Sequence, residues 1–246
     1  MPSQSSGRAA GTASDARSVG SDLDAARALP DKCRVAVPES ALSDLPPLDY
    51  ASIRARVRTG DLALCSGQQL FSRAIRWATS SAFSHVAMLV RLEEIDRVMV
   101  LESIEKIGVR AVAFSRFVGG DTQRHHPYPG AIVIARHADF AGKATPERLG
   151  RMGDFAADRL GAPFSSGEIL KIAMRIAAAG VGLKMPRQLS PDDEFICSEY
   201  VAECYRHIGI NVPWDGRGFI APADFARDAK VEAIGRVAVP GSAGTK

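Results

Sequence analysis

Apolar and polar positions change period several times along the chain, and each change marks an element. Leu62-Ala63-Leu64-Cys65 is a short apolar run after Thr59-Gly60-Asp61 and predicts a strand. Leu70, Ile75, Trp77 and Ala78 then recur at helical spacing, up to a stop at Thr79-Ser80-Ser81. Ser84 to Val90 predicts a second strand, Glu93 to Asp96 a polar turn, and Val98 to Ser103 the return strand of a hairpin. Val109 to Val118 and Ala131 to Arg136 read as further strands, separated by a polar loop from Gly119 to Gly130. A helix is predicted from Pro146 to Leu160, with proline at the favoured first position and Gly161 past its end. Ser165-Ser166-Gly167-Glu168 reads as a capping box that opens another helix. After Cys197, Val201, Ala202, Tyr205 and Ile208 follow at helical spacing, and Gly209 closes the run. Ala221-Pro222-Ala223-Asp224-Phe225 predicts a turn into a short last helix. Strands cluster centrally and helices flank them, so the expected class is α+β, with an antiparallel sheet packed against helices.

The ends of the chain lack such patterns. Residues 1–32 are rich in Ser, Ala, Gly and Asp and read as disordered. Residues 33–52, with Pro38, Pro46 and Pro47, read as an extended lead-in. That leaves one folded domain over 53–238 and a flexible tail over 239–246. A length of 246 residues with 46% hydrophobic content suits one sizeable core. A net charge of +3 gives no reason to expect a nucleic-acid partner. The first thirty residues hold no apolar core of a signal peptide, so a cytoplasmic location is the default. The Ser-rich leader leaves leaderless export open. No uninterrupted apolar run reaches the roughly twenty residues of a membrane span.

Four cysteines carry the chemistry worth asking about: Cys33, Cys65, Cys197 and Cys204. None forms a CxxC pair or clusters with histidine, so no metal and no cofactor is expected. Cys197 sits after a proline-marked acidic turn, Ser190 to Glu194, at the mouth of a helical pattern. A thiol there faces unpaired backbone N–H groups and the positive end of the helix dipole, which favour the nucleophilic thiolate. A lone cysteine more often just packs, so Cys197 needs a base to be read otherwise.

Five histidines are candidates. His207 lies ten residues further along the same helix, about 15 Å away. His125 and His126 sit in the polar loop, and His137 ends a strand. His85 begins an apolar strand, where a rigid element holds the ring. On alternate positions His85, Ala87 and Leu89 share one face, as do Val98, Val100 and Glu102 on the return strand. A two-residue turn at Glu93-Glu94 pairs 92 with 95 and puts Glu102 directly opposite His85. A slip of two leaves the pair diagonal and within reach. A slip of one puts them on opposite faces. A carboxylate in this apolar strand also calls for a partner.

The run Thr59 to Leu64, the run Ile75 to Val86, Leu101-Glu102-Ser103 and Cys197-Ser198-Glu199-Tyr200-Val201, in that order, resemble the circularly permuted papain-like amidases of the YaeF/YiiX group, in the NlpC-type superfamily. The resemblance covers roughly residues 55–230, including Ala221 to Asp224. It implies a permuted papain-like fold, with Cys197 as nucleophile, His85 as general base and Glu102 as the residue that orients the histidine. It also implies a peptide-like amide as substrate. The chain departs from the group after Gly161-Ala162-Pro163, where Phe164-Ser165 replaces a Tyr-Asp pair.

Two other functions stay open. The related lecithin–retinol acyltransferase-like enzymes share the permuted order and act on acyl groups. The apolar stretch from Glu168 to Met185, with basic residues interspersed, suits an acyl substrate or a membrane surface as partner. A non-catalytic binding module on the same fold is the third reading. The oligomeric state is not legible.

Overall fold

Leu62–Gly67, the first long apolar run, is buried along its whole length and lies at the centre of a seven-stranded sheet. The computed structural model describes residues 36–105, 107–120, 127–164, 196–214 and 219–239. In chain order the elements are α1 (Ala41–Asp44), β1 (Pro47–Leu48), α2 (Tyr50–Arg56), β2 (Leu62–Gly67), α3 (Leu70–Thr79), β3 (His85–Leu92) and β4 (Arg97–Ile104). They continue with β5 (Gly108–Ala113), α4 (Phe114–Gly119), β6 (Gly130–His137), α5 (Phe140–Lys143), α6 (Pro146–Asp158), α7 (Cys197–Ile208), α8 (Pro222–Arg227) and β7 (Val231–Val237). The sheet order is β1-β7-β6-β2-β3-β4-β5.

Both faces of the central strands are covered, and this explains their continuous apolar character. Leu62, Leu64, Val86, Met88, Val133 and Ala135 pack on one face against Met152 and Ala156 of α6 and Tyr200, Val201 and Cys204 of α7. The alternate residues, Ala63, Cys65, Ala87, Leu89, Ile132 and Ile134, pack on the other against Ile53, Phe114 and Phe117. The class is therefore α+β, as the patterning implied.

The structure corrects several finer expectations. The sheet is mixed, because β1 and β7 run parallel while the other neighbours are antiparallel. The lead-in is not extended throughout. Asp49 accepts from Ser52 N–H at 2.7 Å and caps α2, whose Ile53 is fully buried. The strand expected over Val109–Val118 stops at Ala113. Phe114, Phe117 and Val118, at helical spacing, then bury one side of α4. Strand β7 was not anticipated; Gly235 and a register shift opposite Ile134/Ala135 interrupt its alternation. The helix expected from Ser165, the His125-His126 loop and residues 1–35 lie outside the described residues. No helix among the described residues is long and apolar enough to cross a membrane.

The antiparallel ladder of β3 with β4 decides where His85 and Glu102 fall relative to each other. It runs from Leu92 opposite Arg97 to Met88 opposite Leu101 and ends there. The turn holds a 3-10 helix over Glu93–Ile95 and a left-handed Asp96 at φ 49°, so it is longer than the two-residue turn expected. The register is displaced by two from that expectation. Glu102 consequently falls one pair further along, diagonal to His85 rather than opposite it.

Candidate active site

Helix α7 presents its first residue, Cys197, to the end of this hairpin. Ile196 is the N-cap, and the first helical hydrogen bond runs from Tyr200 N–H to Ile196 O at 3.1 Å. The N–H groups of Cys197, Ser198 and Glu199 precede that bond and point out of the helix end. Three side chains hold the helix in place. Ser198 Oγ donates to Ile220 O at 2.6 Å, Tyr200 Oη to Ala156 O at 3.0 Å, and Tyr205 Oη to Gly60 O at 2.7 Å. Ile196 packs with Phe219, Ala221 and Ala223 in a small apolar cluster beside the thiol, with Phe164 against it.

Where the β3–β4 ladder stops, the thiol takes over. Leu89 N–H donates to Asp61 O on the β2 side, so by alternation the Val86 and Met88 N–H groups face β4. Beyond Met88 the ladder no longer pairs Val86 with β4, and the Val86 N–H is among the groups that favour the Cys197 thiolate. Cys197 thus lies at the edge of β3, in the opening between the strands. His85 and Glu102 reach it from the sheet. Glu102 Oε2 accepts from His85 Nε2–H at 2.8 Å, and the second nitrogen, Nδ1, is left for the thiol. The His85 and Glu102 side chains are only 14% and 1% exposed.

Electrostatics follow from this arrangement. Burial pushes the His85 imidazolium down, but the Cys197 sulfur, by charge and hydrogen bond, and then Glu102 outweigh it and raise its pKa to about 10. Burial pushes the Cys197 thiol up, yet the His85 charge and hydrogen bond and the Val86 and Ser198 N–H groups bring it below the usual thiol value. Glu102 is likewise raised by burial and carried below its usual value by His85 and then by Arg110. The coupled pair is thereby biased toward thiolate and imidazolium.

All three residues singled out from the sequence, Cys197, His85 and Glu102, are brought together. The other described histidines stand elsewhere. His207 stacks on Phe155 with ring centres 4.9 Å apart, and His137, where β6 meets β7, pairs with Asp228 at 3.5 Å. Cys65 and Cys204 are buried in the core, and burial pushes the Cys204 thiol well up. Sequence reading missed Arg110, which binds Glu102 from β5. Only the alternation of Val109, Arg110 and Ala111 in a strand beside Glu102 hinted at it. Nor could it find the Val86 N–H, a backbone group with no side-chain signature.

No family model matches the chain, and no curated protein does. Among solved structures it is similar to the crystal structure of metalloprotein yiiX from Escherichia coli O157:H7, DUF1105. The identity is 20% and the TM-score 0.43, over 74% of this chain and 89% of that one. Among the described residues of this chain, no group of three or more His, Cys, Asp or Glu is arranged so that it could hold a metal ion.

Proposed function

We propose that the protein is a cysteine-dependent hydrolase of the permuted papain-like kind, cleaving a peptide-like amide. The observation that carries the reading is the buried Glu102–His85 hydrogen bond, whose ring is coupled electrostatically to the thiol at the mouth of α7. The Cys197 thiolate attacks the amide carbonyl. Negative charge collects on the carbonyl oxygen as the tetrahedral intermediate forms, and the Cys197 backbone N–H, at the helix end, is placed to receive it. His85 gives its Nδ1 proton to the leaving amine, which departs and leaves a thioester on Cys197. A water then adds to the thioester carbonyl as His85 takes its proton, and the thiolate leaves again, releasing the acid. Glu102 keeps the ring oriented and balances its charge throughout.

The acyl-lipid alternative rests on Glu168–Met185, which lies outside the described residues. The test is hydrolysis of a panel of dipeptide amides, γ-linked peptides and acyl esters by the full chain and by Cys197→Ala. Amide cleavage lost in the variant supports the reading. Amide cleavage undiminished in Cys197→Ala sinks it, and cleavage confined to acyl esters replaces the substrate class.

A further inference from the structure

The sheet continues past Glu102 to a charged group that the proposed reaction does not use. The β4–β5 register sets Arg110 directly opposite Glu102. Arg110 Nε and Nη2 both donate to Glu102 Oε1, at 2.9 and 2.7 Å. Oε2 is left to His85, at 2.8 Å. The two carboxylate oxygens are thus divided between a guanidinium fork on one side and an imidazole on the other. Both partners of this ion pair are largely buried, with side chains 11% and 1% exposed.

Resting on the reading of Cys197 as the nucleophile, we propose that Arg110 is a positioning residue: its fork locks the Glu102 carboxylate so that Oε2 stays on His85 and Nδ1 stays turned to the thiol. A glutamate is long, and its terminal torsion is broad, so one hydrogen bond does not hold the carboxylate plane. The β3–β4 ladder has already ended at Met88 and Leu101, so no direct β3 pairing fixes the backbone of Glu102 on that side. On its other side the ladder with β5 continues to Ile104 and Gly108, and Arg110 projects from that strand. The fork adds what a point charge lacks, namely two donors in a fixed plane.

The arrangement has an electrical consequence. Arg110, Glu102, His85 and Cys197 form a row in which a cation alternates with an anion. Among the described residues, the charged groups acting on Glu102 are His85 from β3 and Arg110 from β5. Those acting on His85 are Glu102 from β4 and Cys197 from α7. Removing the Arg110 cation disfavours every anion behind it. Glu102 then protonates at higher pH, and thiolate formation moves up with it.

The experiment follows alkylation of Cys197 in the full chain by iodoacetamide, from pH 4 to 10, with peptide mass spectrometry to separate it from the other cysteines. In the wild type, the alkylation rate persists below the pH range of an ordinary thiol. In Arg110→Met the acid limb of the profile moves up by about one pH unit. Arg110→Lys, which keeps the charge but not the fork, recovers only part of that shift. Coincidence of the Met and wild-type profiles overturns the proposal, and so does full recovery by Lys. If Arg110→Met fails to fold, Lys against wild type decides alone: a shifted limb supports the clamp and coincidence overturns it. An ordinary thiol profile in the wild type defeats the nucleophile reading itself, and this proposal falls with it. That outcome is distinct from the variant results.

Discussion

Replacing Cys197 should discharge His85. The imidazolium is held to about pH 10 against an ordinary 6.5, although burial opposes it. The rise of about 3.5 units corresponds to roughly 5 kcal/mol of preference for the charged ring, at about 1.4 kcal/mol per unit. Two groups supply it: Cys197, the larger, and Glu102. Cys197→Ser keeps a hydrogen-bonding oxygen at the helix mouth but removes the anion. The ring then retains its Glu102 partner and its burial and loses its nearest negative charge. The sign is fixed, since losing an anion makes the cation less stable, and the pKa falls. If the sulfur accounts for more than half of the rise, the drop is at least about two units, which brings His85 to about 8 or lower. The assay is an NMR titration of the His85 ring Cε1–H, with His85→Gln for assignment. A pKa within half a unit of the wild-type value in Cys197→Ser would refute the argument. The charge on the ring would then be owed to Glu102 alone, and the thiolate–imidazolium pair would have no basis.

Three further outcomes are expected. Glu102 has a folded pKa below its usual 4.5, so its stabilising effect is complete above that value and is lost as pH falls through the lower one; thermal melts between pH 5 and 3 should show Glu102→Gln losing less stability on acidification than the wild type, and equal losses would contradict this. Tyr205→Phe removes the buried donor to Gly60 O and should cost about 1–2 kcal/mol in urea unfolding, while an unchanged midpoint would show that the bond contributes nothing. Gly130→Ala would drive a Cβ into the Ser66 carbonyl where β6 meets β2, and stability in the same urea assay should fall by more than about 2 kcal/mol, since backbone on both sides must move.

Much of this arrangement was legible from local pattern, and its limits have physical causes. His85 and Glu102 could be placed on one face because side-chain period in a strand is two, and a register error of two preserves the face. The error itself came from the turn. Nothing in Glu93-Glu94-Ile95-Asp96 declares a 3-10 helix followed by a left-handed aspartate. Cys197 was readable as a helix start from the apolar spacing after it. Its meeting with His85, 112 positions earlier, is a tertiary fact that no local pattern contains; only the ordered resemblance suggested it. Arg110 escaped notice because a cation in a strand usually faces water, and its partner is set by a cross-strand register. Pro38, Pro46 and Pro47 predict an extended start to the fold. Those prolines punctuate rather than prevent the short helices there.

The early end of the β3–β4 ladder couples the oxidation or alkylation state of one sulfur to the backbone of the sheet. The Val86 amide acts on a sulfur whose charge chemistry can remove, whereas an amide inside the ladder, such as Met88, faces a strand that does not change. A covalent adduct at Cys197 quenches the anion and lengthens the side chain, so the amide loses the negative charge it acts on. The acylation step of the proposed reaction would do this transiently and release would undo it. In the proposed hydrolysis the sheet edge beside the thiol would then loosen and tighten in turn, and amide exchange at Val86 would keep a record of which covalent state Cys197 occupies.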